Sequence, residues 1–268
     1  MKKLLTESMN YILDIIGDFR AEIGIIIGTG LCDSLEYKEL YAIDYVNIPG
    51  FVNTNAPTHK GKMVFAQLGE RNVVIMMGRF HYYEGYSMEE ITYPIHVLNE
   101  MGINKLILTN AVGAVNPKYK LGDIVVVKDH IYFAESPLRE SFKTKREFIS
   151  MQNIYTDVLL ERVSKEAECQ NIPIHFGTYF YMKGPQFETP AEINAISILG
   201  GDIVGMSTIP EVIVASSFKM EILCLSMVSN FAAKVKTPNL DSLEVINTAR
   251  FYSKRMEYIV SKIVVNIE

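Results

Sequence analysis

Eight short apolar runs, rich in β-branched residues and separated by stretches whose apolar positions recur at helical spacing, constrain this chain most. The runs at 23–27, 63–68, 73–77, 105–109, 124–127, 178–182, 203–204 and 222–228 predict strands. The stretches at 7–19, 88–101, 153–170, 191–199, 210–218 and 243–264 predict helices. Such alternation specifies an α/β fold with a central mixed β-sheet flanked by helices on both sides. At 268 residues, 49% of them apolar, the chain can bury one substantial core, so residues 1–268 are read as a single domain.

Acidic residues outnumber basic ones by 31 to 26, and the resulting net charge of -5 gives no electrostatic reason to expect nucleic acid or an anionic membrane as partner. Any anion site must be local. The opening Met1-Lys2-Lys3-Leu4-Leu5 is broken by Thr6, Glu7 and Ser8 before it reaches signal-peptide length, and no run approaches a membrane span. Cys32, Cys169 and Cys224 are widely spaced, with no paired Cys-x-x-Cys. Free thiols in a reducing cytoplasm are expected, with no metal and no cofactor.

The candidate chemistry collects where apolar runs end. Val73 to Met77 gives way abruptly to Gly78-Arg79-Phe80-His81-Tyr82-Tyr83-Glu84-Gly85, and open α/β folds bind their ligands at such a rim. Arg79 offers a fork of donors suited to phosphate or carboxylate, and His81 a further donor, unless Arg79 and Glu84 merely form a surface pair. Gly28-Thr29-Gly30 lets backbone amides and the Thr29 hydroxyl approach an anion, or is a tight turn. It is no dinucleotide loop, because Asp33 replaces the third glycine, and no Walker lysine follows.

Thr109-Asn110-Ala111-Val112-Gly113 reads as a strand-to-loop turn offering main-chain N–H groups to the same rim. In Gly184-Pro185-Gln186-Phe187-Glu188-Thr189 an aromatic face stands beside a carboxylate, suited to stacking on a heterocycle and accepting from its N–H edge. The lesser reading of Glu188 is a helix N-terminal charge. Asn230 in Ser229-Asn230 offers a primary amide to a base edge, or is a turn former. His59 is a second imidazole for an anion or an ordinary loop histidine, while His96, His130 and His175 show no partner pattern. Ser87 with Glu90, Thr189 with Glu192, and Thr208 with Glu211 predict three capping boxes. Residues 132–151 are charged and aperiodic, which predicts a long loop.

These segments, in this order, resemble the trimeric, low-molecular-mass purine nucleoside phosphorylases. The resemblance is carried by Gly28-Thr29-Gly30-Leu31, Gly78 to Gly85, Thr109-Asn110-Ala111, Gly184 to Thr189 and Val204-Gly205-Met206-Ser207-Thr208-Ile209-Pro210-Glu211-Val212. It implies phosphate held by Thr29, Arg79, His81, the Ala111 backbone and Ser207, with His59 over it and Glu84 supporting the pocket. Tyr83 and Met206 would line the ribose, Glu188 and Asn230 would face the base edge, and Phe187 and Val204 would pack around the ring. Phe148 would come from a neighbouring subunit of a homotrimer. The implied reaction is phosphorolysis of 6-oxopurine nucleosides, with His81, Glu84, Glu188 and Asn230 carrying catalysis. A 5′-methylthioadenosine phosphorylase and a catalytically silent purine-binding protein are the alternatives.

The chain departs from the family pattern in places. Ser242 stands where a histidine usually reaches the ribose 5′-hydroxyl, Cys32 where a glycine is common, and Lys234 replaces another glycine.

Overall fold

The computed structural model describes residues 2–29, 34–139, 143, 147–232 and 242–267. Gly30, Leu31, Cys32, Asp33, Lys234 and parts of the 132–151 segment lie outside the described residues. Nine strands, β1 (Ile23–Ile27), β2 (Lys38–Asp44), β3 (Lys62–Leu68), β4 (Arg71–Met77), β5 (Lys105–Ala114), β6 (Ile124–Ile131), β7 (Ile174–Tyr181), β8 (Ile203–Gly205) and β9 (Glu221–Phe231), join one mixed sheet. Their order is β2-β3-β4-β1-β5-β8-β7-β6-β9. An additional parallel pairing of β5 with β9 closes the last five strands into a ring, while β2, β3, β4 and β1 extend from it as an open sheet.

Helices cover both faces because the strands are apolar on both. Ile26, Val74 and Met76 turn toward one core, beneath α1 (Lys2–Ile16), α2 (Met88–Glu100) and α5 (Ile209–Ser217). Ile25, Ile27, Val73 and Ile75 turn toward the other, beneath α3 (Asp157–Cys169) and α6 (Ser242–Asn266). A smaller cluster joins Ile193 and Ile196 of α4 (Pro190–Ile198) to Phe180 and Val204. Each such buried aliphatic side chain contributes roughly 1.5–3 kcal/mol. A one-residue slip in register would exchange the two faces of a strand all at once.

Three expectations need correction. β2 was not foreseen, because its side chains are almost all exposed and carry no apolar alternation. Thr109 to Gly113 is strand, not turn: β5 runs on to Ala114 because it is paired with β9 along its length and buried on both faces. Thr208 and Glu211 form no capping box, although Ser87–Glu90 and Thr189–Glu192 do.

The topology gathers the site. β4, β1, β5 and β9 are mutually parallel neighbours, so their carboxyl ends share one rim. Near that rim the β5–β9 register shifts from Val112↔Val228 to Gly113↔Asn230, leaving Ser229 as an extra residue. Successive residues of a regular strand point to opposite faces; at this bulge Ser229 and Asn230 both line the same cavity.

Candidate active site

Gly78 follows β4 with φ of +111°, and a Cβ there would stand 2.5 Å from His59 Cβ, so only glycine lets the His59 loop lie against this turn. The Arg79 that follows is 2% exposed. Its Nε lies 3.0 Å from Glu211 Oε1, an ion-pair contact without the alignment of a hydrogen bond. Nη1 donates to Thr208 Oγ1 at 2.9 Å and to Ser207 Oγ at 3.3 Å, and Nη2 to the Ile26 carbonyl at 3.3 Å. Arg79 therefore makes no surface pair with Glu84; its counter-ion is the buried Glu211, brought from α5.

Glu84 serves His81 instead. One carboxylate oxygen lies 3.0 Å from His81 Nδ1 and accepts from the His81 N–H at 2.9 Å, while the other accepts from the Asn55 N–H at 2.6 Å. Burial opposes the charge on Glu84, but the hydrogen bonds from His81 and Asn55 outweigh it and hold the carboxyl below its usual range. The His59, His81 and Tyr83 rings form a stack, with centroids 5.1 and 4.6 Å apart. Burial, reinforced by His81 and Arg79, pushes His59 down to about 3, so this imidazole is neutral near pH 7.

These groups form one end of a cavity of about 350 Å³. Thr29, His59, Arg79, His81, Ala111 and Ser207 line it, with Thr58 Oγ1 donating to Thr29 Oγ1 at 3.3 Å. Tyr83, Met206 and Ser242 line it as well, and Phe187, Glu188, Val204 and Asn230 complete the wall. Burial raises the Glu188 carboxyl above its usual range. Ser229 Oγ donates to Asn230 Oδ1 at 3.0 Å, leaving the Asn230 Nδ2 as the donor end of that amide. Two named residues stand apart: Glu84 sits behind His81, and Phe148 is 90% exposed and outside the wall of this chain's cavity. His130 and His175 also lie away from it, against Tyr155 and Asp123 at 3.0 and 2.8 Å.

The phosphorylase superfamily profile matches residues 22–265. Purine nucleoside phosphorylase 1 of Geobacillus stearothermophilus is 41% identical over 85% of this chain and 84% of its own length. The mouse purine nucleoside phosphorylase is 34% identical over 91% and 88%. This chain belongs to the purine nucleoside phosphorylase family. A crystal structure of a schistosome purine nucleoside phosphorylase in complex with hypoxanthine superposes with a TM-score of 0.88 at 34% identity, covering 99% of this chain and 98% of the other.

Within this purine nucleoside phosphorylase framework, sequence reasoning missed the residues that hold the named ones. Thr208 and Glu211 hold Arg79, and Asn110 donates to Thr208; Thr54 and Asn55 hold Glu84; Val245 and Ile246 line the wall with Ser242. Glu211 carried one available signal, a carboxylate in an otherwise apolar helix, 4% exposed in the fold. The others are linked across 29 to 129 residues of chain or lack any local pattern. Among the described residues no cluster of three His, Cys, Asp or Glu is placed to hold a metal ion, and no helix is long and apolar enough to cross a membrane.

Proposed function

We propose that this chain catalyses reversible phosphorolysis of 6-oxopurine ribonucleosides and deoxyribonucleosides, giving free base and pentose 1-phosphate. The observation that carries the reading is a single cavity whose lining includes the donors Arg79, His81 and Ser207 as well as the Glu188–Asn230 pair. Its volume of about 350 Å³ lies in the range of small-molecule sites.

Cleavage of the glycosidic bond builds positive charge on the sugar and negative charge on the departing base, and a site that favours both lowers the barrier. Phosphate held by Arg79, Ser207, His81, Thr29 and the Ala111 backbone lies against the anomeric carbon. There its charge stabilises the oxocarbenium-like sugar and one of its oxygens attacks. His59, neutral, contributes a hydrogen bond rather than a charge. Glu84 keeps the His81 ring in place. Tyr83, Met206 and Ser242 line the pentose.

On the leaving side, Asn230 Nδ2 donates to N7 as it gains electron density, and Glu188 accepts from N1–H. Phe187 and Val204 pack on the ring. Adenine N1 carries no proton, so an adenine nucleoside leaves the Glu188 carboxylate facing an acceptor, a mismatch costing roughly 1–3 kcal/mol.

The chain acts as a homotrimer in which Phe148 of one subunit reaches the site of the next; the 90% exposure of Phe148 supports this. The protein resides in the cytoplasm, a reading favoured by the free thiols of Cys169 and Cys224.

The test is a panel of inosine, guanosine, adenosine and 5′-methylthioadenosine, incubated with and without phosphate, with release of free base measured. Phosphate-dependent release from inosine and guanosine is expected, with adenosine and 5′-methylthioadenosine slow. Phosphate-independent release, or 5′-methylthioadenosine as the preferred substrate, overturns the proposal.

A further inference from the structure

Thr208 is fully buried and its backbone stands at φ +75°, ψ −49°, a conformation that a β-branched residue adopts only under strain. The Ile209 N–H donates to the Ser207 carbonyl at 2.8 Å, so Thr208 is the central residue of a γ-turn, the rare kind with positive φ. A sequence that spends strain on a non-glycine residue at this turn has a use for the side chain.

The hydrogen-bond count at two hydroxyls shows what that use is. Thr208 Oγ1 accepts from Arg79 Nη1 at 2.9 Å and from Asn110 Nδ2 at 2.8 Å. Both of its lone pairs are then occupied, and its own hydrogen is left for its remaining neighbour, Ser207 Oγ at 3.1 Å. Ser207 Oγ in turn accepts from Thr208 and from Arg79 Nη1 at 3.3 Å. With its acceptor capacity filled from behind, the Ser207 hydrogen has the cavity it lines as its outlet.

We infer that Thr208 is a positioning residue: its hydroxyl fixes the polarity of Ser207, making it an obligate donor to the oxyanion co-substrate, and at the same time anchors the Arg79 guanidinium. The inference rests on the proposed phosphate site. Thr208 itself is not among the residues lining the cavity, so its effect on turnover passes entirely through Ser207 and Arg79. The unprotonated oxygens of a phosphate gain from a hydroxyl that cannot turn round to present its lone pairs.

Three variants test it, each assayed for the KM of phosphate and the KM of inosine. Thr208→Gly suits the positive φ and deletes the hydroxyl; it should fold, raise the phosphate KM at least tenfold and leave the inosine KM within about twofold. Thr208→Val deletes the hydroxyl at nearly constant shape and should show the same selective loss. Thr208→Ser restores the hydroxyl and should return the phosphate KM to within about threefold of the parent. An unchanged phosphate KM in Thr208→Gly, or equal losses for both substrates, overturns the inference, as does a Thr208→Ser variant no better than Thr208→Gly. Parent enzyme that releases base without phosphate would instead refute the phosphate site itself, so the two failures are distinguishable.

Discussion

At the Arg79 end of the cavity the polar side chains of Arg79, Asn110, Thr208 and Glu211 are buried and tied to one another, whereas at the Glu188 end Phe187 is 42% exposed and Glu188 and Asn230 are only half-buried. Arg79 follows the tip of β4 and Thr208 and Glu211 come from the start of α5; at the second end Phe187 and Glu188 sit on the loop before α4, while Val204 and Asn230 sit on β8 and β9. A buried, mutually bonded site is organised before its ligand arrives and spends little of the binding energy on ordering. A loop-borne, half-exposed site adapts to its ligand and gains more on closing around it. On the proposed reading, rigidity falls to the end that would meet the same small anion at every turnover, and adaptability to the end that would meet differing nucleosides.

The largest effect that can break this comparison is on stability. Removing one member of a buried ion pair strands the other, so Glu211→Ala should cost about 3–5 kcal/mol in denaturant unfolding. Arg79→Ala should cost a similar amount while also weakening phosphate use. Replacing both together, as Arg79→Met with Glu211→Met, should recover stability without recovering phosphate affinity. If Glu211→Ala unfolds like the parent, the Arg79 end is not the buried network described.

At the other end the expected loss is in turnover and not in folding. Glu188→Ala should lower kcat/KM for inosine by about 2–3 kcal/mol, roughly 30- to 150-fold, with little change in the unfolding midpoint. Near-parent kinetics with inosine would remove Glu188 from the base edge.

Acid sharpens the contrast further. His59 stands at about 3 in the folded chain against 6.5 for the ordinary imidazole, so the unfolded chain takes up the proton first as pH falls. The stability contributed by neutral His59 is complete above about 6.5 and is lost as pH falls toward about 3, by up to about 1.4 kcal/mol per pH unit. Glu84, held low, acts with the same sign: its contribution is present above the ordinary carboxylate pKa and is lost as pH falls through its depressed folded value. Glu188, raised by burial, acts oppositely, its ionisation opposing folding as pH rises. His59→Gln should flatten the acid side of the stability profile; a profile of unchanged slope contradicts the assignment.

The smallest effect concerns the pentose. Ser242 lines the cavity at the start of α6, and its side chain is shorter than an imidazole. Ser242→His should raise the preference for inosine over 5′-deoxyinosine a few-fold, measured as a ratio of kcat/KM values. No change in that ratio would separate Ser242 from the 5′ end of the sugar.

What the sequence made legible follows the reach of its patterns. Apolar runs such as Ile23 to Ile27 declare a strand buried on both faces, and Ser87 with Glu90 or Thr189 with Glu192 declare helix starts, because those signals are complete within a few residues. β2 was silent because its short apolar run, Leu40 to Ile43, is bounded by charged residues and left almost wholly exposed at the sheet edge. Thr208 and Glu211 carried the spacing of a cap but serve Arg79, some 130 residues earlier in the chain, and no local pattern reveals a partner at that distance. Most groups facing the cavity were thus readable from motifs, Val245 and Ile246 excepted, while of the groups that hold them Glu84 was named in advance and Thr208 and Glu211 took their roles only from the fold.

A crystal structure of this chain with phosphate and hypoxanthine bound together is the most direct test of one cavity with two unlike ends. The account predicts phosphate within hydrogen-bonding distance of Arg79, His81 and Ser207, and the base with N1 on Glu188 and N7 on Asn230, room for a pentose between them. Either ligand bound outside this cavity, or the base bound with its N1 edge turned away from Glu188, would contradict it.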